Sequence, residues 1–394
     1  MSIRIIIITI DILLWTIIAA NVAYIVFFAF ASLLPKKKQK QSSDTSQKNS
    51  SFIVLFPAYH EDAVILNSVK SFLKQDYPQE SYHVVVISDH MEPETNEELS
   101  QLPITLLQPS FEKSSKAKAL QYAISHVSFF NPHSSNYIVI LDADNIVQSN
   151  FLSQINSLCQ HGNKAIQCHR TAKNNDNDIA ALDGLSEEIN NTIFRKAHNA
   201  IGLSSALIGS GMCFEYEWFA QNVTLLDSAV EDRELEALLM KQGIYIYYAE
   251  DIHVLDEKVS NSNNFQRQRL RWMTGQVQAF FRMMPYIPKA IVTANVNYID
   301  KTIQQMLIPR SILMAIIPCI TITTTFLSLS WSYKWWGMLL CFGIALLIAI
   351  PKRLRTRALF GRLGTLPKLI WHMFSNIIRM DRHNTDFIHT THEK

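Results

Sequence analysis

The sequence predicts an α/β domain, a largely parallel sheet covered by helices, carried on three transmembrane helices. Three observations predict it. Between residues 51 and 260, short β-branched runs alternate with helical patterns, as strands and crossover helices do. Three apolar runs have the length scale of bilayer spans, for which about 20 residues are needed. Charge is also segregated: of the net +2, residues 1–50 carry +4, residues 352–394 carry +6, and the stretch between them carries −8.

Charged residues make up 18% of the 394, against about 25% in an ordinary soluble chain. The 48% apolar content excludes disorder and the 11 glycines exclude collagen. An acidic middle excludes nucleic acid as the partner. Cys159, Cys168, Cys213, Cys319 and Cys341 form no CxxC pair, which argues against a zinc site or disulfide scaffold and fits a reducing compartment.

The first element, residues 1–35, is an uncleaved anchor. Its apolar run Ile5–Leu34 is longer than a signal peptide's core, and its strong charge (Lys36, Lys37, Lys38, Lys40) follows the run instead of preceding it. The basic side faces the cytoplasm, so the N-terminus lies outside. Residues 36–50 are a polar linker. Residues 51–276 form a cytoplasmic α/β domain, with strands over Phe52–Phe56, His83–Ser88, Ile104–Leu107, Tyr137–Leu141, Ala165–His169 and Ile244–Ala249. Its helices cover Glu61–Lys74, Ser115–Val127, Phe151–Gln160, Ile179–Lys196 and Glu231–Gln242. Residues 277–305 are amphipathic and broken by Pro285 and Pro288; they suit either the membrane interface or ordinary packing. Residues 306–351 form a transmembrane hairpin, Ile312–Trp331 and Trp335–Ile350, around the aromatic SWSYKWW. Residues 352–394 are a basic cytoplasmic tail whose stretch 366–380 is again amphipathic. Its His389 and His392 lack a third ligand nearby.

GxGxxG, GxxxxGK[ST] and GxSxG are all missing, which removes the main support for dinucleotide, P-loop and hydrolase readings. Ligands of open α/β sheets bind beyond the carboxyl ends of the strands, and there the sequence places acids. Asp142-Ala143-Asp144 follows a strand, where two carboxylates can share one Mg²⁺ or Mn²⁺. Pro57-Ala58-Tyr59-His60-Glu61 and Asp89 follow two others. Lys116 and Lys118 open a helix, a place suited to phosphate. Asp232, beside Glu231, is either a general base or a helix cap. Gln268-Arg269-Leu270-Arg271-Trp272 offers arginines for a diphosphate and a flat ring for a sugar, or else a basic juxtamembrane face for anionic lipid. Glu187, Glu188, Asn190 and Asn191 face either the acceptor or solvent, and Cys213 reads as a buried structural thiol.

PAYHE, Asp89, DAD, then ED followed by QRLRW, in that order, resemble the family 2 glycosyltransferases, the membrane-bound group of cellulose, chitin and hyaluronan synthases. The resemblance covers about residues 50–300. It implies a GT-A type mixed sheet with flanking helices, interfacial amphipathic helices and a UDP-sugar donor. Tyr59, Glu61 and Asp89 would hold the base. Lys116 would approach the nucleotide, Asp142 would contact its sugar and phosphate, and Asp144 would ligate the metal. Asp232 would be the catalytic base. Gln268 and Arg271 would close over the diphosphate, with Trp272 stacking the acceptor sugar. Gly209-Ser210-Gly211-Met212 would be the small-residue loop beside the acceptor, with Gly211 in contact with it. His60 stands where the family has Asn, and Gln121 where it often has Asn. The activity implied is inverting transfer to a growing polysaccharide at the inner or plasma membrane. Single transfer to a lipid-linked acceptor and a catalytically silent scaffold are the alternatives. Three spans are fewer than polymer-secreting relatives have, so an export partner or an oligomer is also expected.

Overall fold

The computed structural model describes residues 3–35, 49–127, 137–174, 176–228, 230–259 and 261–365, together with 367, 371 and 375. The linker's residues 36–48, most of the stretch 366–380, His389 and His392 lie outside the described residues.

Along the chain run α1 (Ile3–Ala31), β1 (Phe52–Tyr59), α2 (Ile65–Phe72), β2 (Tyr82–Asp89), α3 (Pro93–Ser100), β3 (Thr105–Leu107), α4 (Lys116–Val127), β4 (Tyr137–Ile140) and β5 (Ile146–Val147). Then come α5 (Phe151–Gln160), β6 (Ala165–Ala172), α6 (Asp178–Asn190), α7 (Ala197–Ala200), β7 (Met212–Glu215), α8 (Tyr216–Asn222), α9 (Glu231–Lys241) and β8 (Ile246–Asp256). Last are α10 (Ser262–Met283), α11 (Ile287–Val292), α12 (Val296–Met306), α13 (Arg310–Leu327) and α14 (Leu329–Ala349).

The strands form one sheet in the order β3-β2-β1-β4-β7-β6-β8-β5. It is mixed rather than largely parallel: β7 runs antiparallel to β4 and β6, and β5 antiparallel to β8. Those two strands are four and two residues long, too short to leave a periodic signal. Alternating residues face opposite sides. Ile53, Leu55, Val85 and Ile87 pack with α4, α8 and α9 on one face. Phe52, Val54, Val84 and Val86 pack with α2 and α5 on the other. α3 escapes the sequence pattern because only Thr95 and Leu99 of its residues are buried.

α1, α13 and α14 are each long and apolar enough to cross a membrane. Ile5, Ile10, Leu13 and Ile17 of α1 point outward, while Ile18, Val22, Ile25 and Phe28 pack inward. The hairpin turns at Ser328, so SWSYKWW opens α14 rather than separating the spans, a correction to the sequence reading. Asp11 of α1 explains the polar residues there: it pairs with Lys334 and accepts from Trp335 Nε1 at 3.0 Å. The catalytic-domain side of this bundle meets α6 and α7 through Leu182, Leu185, Ile189 and Ala197.

α10 continues unbroken through residue 276 to Met283. α12 packs inward with Tyr298 and Lys301 fully buried, while Ile291 and Val292 of α11 stay exposed. α10 sits against α9's approach because of Gly275, where a Cβ would overlap Val230 Cγ1 and lie 3.0 Å from Val230 Cγ2. Gly275→Ala should therefore destabilise the domain by roughly 1–3 kcal/mol, whereas Gly337→Ala, with open space around its Cβ, should not. Thermal unfolding of both variants in detergent checks this.

Candidate active site

β1, β2 and β4 run parallel, with Tyr59 opposite Asp89 and Leu55 opposite Ile140. Their carboxyl ends, and the acids just beyond them, therefore emerge along one edge. Both turns leaving β1 and β2 hold a non-glycine residue in the left-handed region, His60 at φ 53° and His90 at φ 56°. Asn and His are among the side chains that tolerate this conformation, which accounts for His at a position where Asn is usual. Asp89 is buried, and its Oδ1 lies 2.6 Å from His90 Nδ1. The Tyr59 and His60 rings meet edge to face at 4.5 Å.

Beyond β4 the Asp142 carboxylate pairs with Lys116, which also donates to the Gly209 carbonyl at 2.6 Å and lies 3.7 Å from Glu231. Burial opposes the Lys116 charge, but Asp142 and Glu231 outweigh it and raise its pKa. Asp144 is buried and accepts from the Glu257 amide at 2.7 Å and Asn145 Nδ2 at 3.0 Å. Burial, then Asp256, then Asp142 push its carboxyl well up. A divalent cation fits that arrangement: it would relieve two crowded carboxylates, and both offer the oxygen donors Mg²⁺ and Mn²⁺ prefer. Among the described residues no three His, Cys, Asp or Glu side chains form a cage, so other ligands would come from phosphate oxygens and water.

On the helix side, Asp232 is half-buried in the first turn of α9, near Gly209. Burial lifts neighbouring Glu231 to about 7, with Lys116 opposing and Asp232 adding to the rise. The Arg271 pKa is lowered by burial and supported by Glu231, Asp142 and Asp232. Arg269 stacks over Trp272, its Cζ 4.4 Å from the ring, and pairs with Asp183. Gln268 Oε1 is buried without a hydrogen-bond partner among the described residues.

The structure brings ten of the eleven sequence-derived site residues to one cavity of about 760 Å³. Tyr59, Glu61, Asp89, Asp142 and Asp144 come from the sheet edge. Lys116, Asp232, Gln268, Arg271 and Trp272 come from helices. Gly211 stays outside. At φ +64° it donates to the Ile140 carbonyl at 2.9 Å, and a Cβ there would strike Val254 at 2.9 Å. It forms part of the floor, and Gly209 faces the cavity in its place.

Sequence reasoning missed the charges beneath the acids. Arg170 Nε donates to Glu187 Oε1 at 2.6 Å, and its Nη1 lies 3.7 Å from Asp256 and 4.0 Å from Asp142. Lys258 pairs with Glu187 and lies 2.7 Å from Asp256. Burial alone would raise Glu187; Arg170 and Lys258 outweigh it and hold the carboxyl down to about 2. Glu188 accepts from Thr171 at 2.6 Å and from Arg353 at 2.8 Å. Neither glutamate faces acceptor or solvent, which corrects both readings of them. Arg170 directly follows the strand predicted over Ala165–His169, so the strand-end rule applied there would have found it; Asp256 escapes the rule because β8 runs on to Asp256, past the predicted end at Ala249. All five cysteines are free, Cys213 among the buried ones.

A mixed sheet with acids gathered at its strand ends and an arginine–tryptophan helix over them defines a GT-A type fold. A mannosyltransferase from Pyrobaculum calidifontis, solved with GDP-Man and Mn²⁺, shares it with a TM-score of 0.52 and 17% identity over 86% of this chain and 96% of its own. S. aureus TarS 1–349 aligns at a TM-score of 0.42 and 13% identity over 83% of this chain and 88% of its own. No curated protein matches the chain. Residues 49–275, more than half of the sequence, match the family described as "Glycosyltransferase like family 2"; the chain belongs to that family and is a glycosyltransferase with a nucleotide-sugar donor.

Two consequences are measurable. Arg170→Met leaves the buried carboxylates Glu187 and Asp256 to share Lys258 alone and should cost about 3–5 kcal/mol, read from thermal or denaturant unfolding. Glu231 has a folded pKa near 7, above the ordinary carboxylate value, so its contribution to stability is present at low pH and lost as pH rises through about 7. Glu231→Gln removes that loss, so its melting temperature relative to the parent should rise from pH 5 to pH 8. A flat difference would contradict the assignment.

Proposed function

We propose that this chain is an inverting, UDP-sugar-dependent hexosyltransferase at the cytoplasmic membrane face, acting on an acceptor that reaches the site from within the bilayer. One observation carries this reading. The cavity that holds the acids continues between α6 and the membrane-spanning helices α13 and α14, where Leu185 and Ile189 line it together with Met314, Leu346, Leu347 and Ile350. Burying sugar hydroxyls against such a wall leaves them unpaired and is costly, whereas a hydrocarbon chain gains from it. A lipid-linked acceptor therefore fits the arm better than a bare glycan. The Gln268–Trp272 helix favours a second reading, a polysaccharide extended by repeated addition.

The chemistry follows from charge. Tyr59, Glu61 and Asp89 hold the uracil ring between an aromatic face and carboxylates that accept its N–H. Lys116 and Arg271 face the diphosphate, whose negative charge grows as the glycosidic bond breaks. Asp142 and Asp144 would hold Mg²⁺ or Mn²⁺, which when bound neutralises part of that charge. Mn²⁺ is the ion of the Pyrobaculum neighbour. Trp272, clamped by Arg269, offers its ring to the acceptor sugar. Asp232 takes the proton from the acceptor hydroxyl, which attacks the anomeric carbon opposite the departing UDP, so a single displacement inverts it.

Asp232→Asn should lower turnover by at least about 100-fold while the donor still binds, as read by UDP release and by calorimetry with a UDP-sugar. Comparable turnover would remove Asp232 as the base. EDTA should abolish UDP release and added Mn²⁺ or Mg²⁺ restore it; activity that persists in EDTA would remove the metal. A panel of UDP- and GDP-sugars with product sizing identifies the donor and separates one added sugar from a ladder.

A further inference from the structure

We infer that Arg310 marks a binding site for the phosphate group of a lipid-linked acceptor, whose sugar hydroxyl lies on the Trp272 and Asp232 side of the cavity. The inference rests on the membrane-delivered acceptor just proposed and names its chemistry. Arg310 is the first residue of α13 and lines the cavity where its polar part meets the apolar arm. Its Nη2 donates to the Ser186 carbonyl at 2.9 Å, to Ser186 Oγ at 3.3 Å and to Asn190 Oδ1 at 2.7 Å. All three acceptors are neutral, and among the described residues no carboxylate pairs with it. Arg170 and Arg269, which line the same cavity, hold Glu187 and Asp183, whereas Arg310, like Arg195 and Arg233, has neutral partners. A guanidinium has five donors in a planar fork that matches a phosphate bidentately. Here one edge of the fork is fixed by α6 and an anion is needed to balance its charge.

What surrounds Arg310 specifies the rest of the ligand. Met314 lies one turn further along α13, on the same face. On α6, Leu185 and Ile189 flank the Ser186–Asn190 pair that holds Arg310, and Leu346, Leu347 and Ile350 of α14 complete the wall. Gln268 and Trp272 line the same cavity on its polar side. A lipid-linked sugar phosphate meets each requirement at once: anion at Arg310, chain in the arm, sugar hydroxyl toward Trp272 and Asp232. Either a lipid-linked acceptor or an anionic phospholipid of the bilayer supplies the anion and the chain.

The test uses the full chain in phosphatidylcholine nanodiscs, with retained lipid read by native mass spectrometry. The probes are a long-chain isoprenoid phosphate, the matching isoprenoid alcohol and phosphatidylglycerol. The parent protein should retain the isoprenoid phosphate at least 10-fold over the alcohol. Arg310→Gln should erase the preference, and Arg310→Lys, which keeps the charge, should retain part of it. An isoprenoid-linked sugar phosphate, run as a fourth probe, that gains a second sugar when UDP-sugars are supplied is identified as the acceptor. Equal retention of phosphatidylglycerol, with no lipid glycosylated, leaves the phosphate site standing and sinks the acceptor reading instead. No preference for phosphate in the parent, or an unchanged preference in an Arg310→Gln protein that melts like the parent, overturns the site.

Discussion

Everything in this cleft depends on keeping several carboxylates within one small volume. Asp142, Asp144, Glu187 and Asp256 are brought together at the ends of β4, β6 and β8 and around α6, and three of the four are buried. Uncompensated, such a cluster would neutralise itself or unfold the edge of the sheet. Arg170 and Lys258 prevent this from below, and Lys116 does so from the donor side. Asp144 lies farthest from these cations in its bonding, touching only an amide and Asn145. Its carboxyl is consequently the one pushed up, while Glu187 is held down. One pool of charge thus produces two kinds of buried acid: Glu187 and Asp256, held as anions by Arg170 and Lys258, and Asp144, which has no cation of its own.

The same logic ties the membrane to the chemistry. α1 reaches the domain through Tyr24, whose hydroxyl donates to Asp300 at 2.7 Å and lies 3.0 Å from His198, while Phe28 stacks on the His198 ring at 3.7 Å. Asp300 belongs to α12, which packs on α9, the helix carrying Asp232. Burial works against Asp300, but His198 and Lys301 keep its carboxyl down at about 2. The anchor is therefore bonded into the catalytic core rather than joined to it by a linker alone.

Much of this was legible in the sequence because it rests on short-range signals. β-branched runs located six strands, and the acids following them located Asp89, Asp142 and Asp144. Tertiary relationships were not legible. The antiparallel entry of β7 is set by pairing with β4 and β6, not by the composition of Met212–Glu215. Glu187 and Glu188 sit in a helix that also carries Ser186 and Asn190, and such a stretch reads as a polar surface until Arg170 and Lys258 arrive from distant strands. Gly211 looked like a contact residue because Gly209-Ser210-Gly211-Met212 resembles the family's small-residue loop beside the acceptor. Its backbone instead bonds β4 and leaves no room for a ligand.

α6 is where these constraints converge, and its order of side chains fixes where the cavity is polar and where it is apolar. Glu187 faces the charge cluster, Ser186 and Asn190 hold Arg310, and Leu182, Leu185 and Ile189 form the apolar arm. Residues 182, 185, 186, 189 and 190 share one face by helical spacing, so polarity along the cavity cannot be reversed without breaking the Glu187–Arg170 bond on the adjoining face. Just beyond, the π-turn Asn191–Lys196 is pinned to β6, since Asn191 donates to the Arg170 carbonyl at 2.8 Å and accepts from Arg195 at 2.9 Å. A helix fixed at both levels cannot slide along the sheet. The acids at the sheet edge and the apolar arm against the membrane-spanning helices are thereby held at opposite ends of one passage.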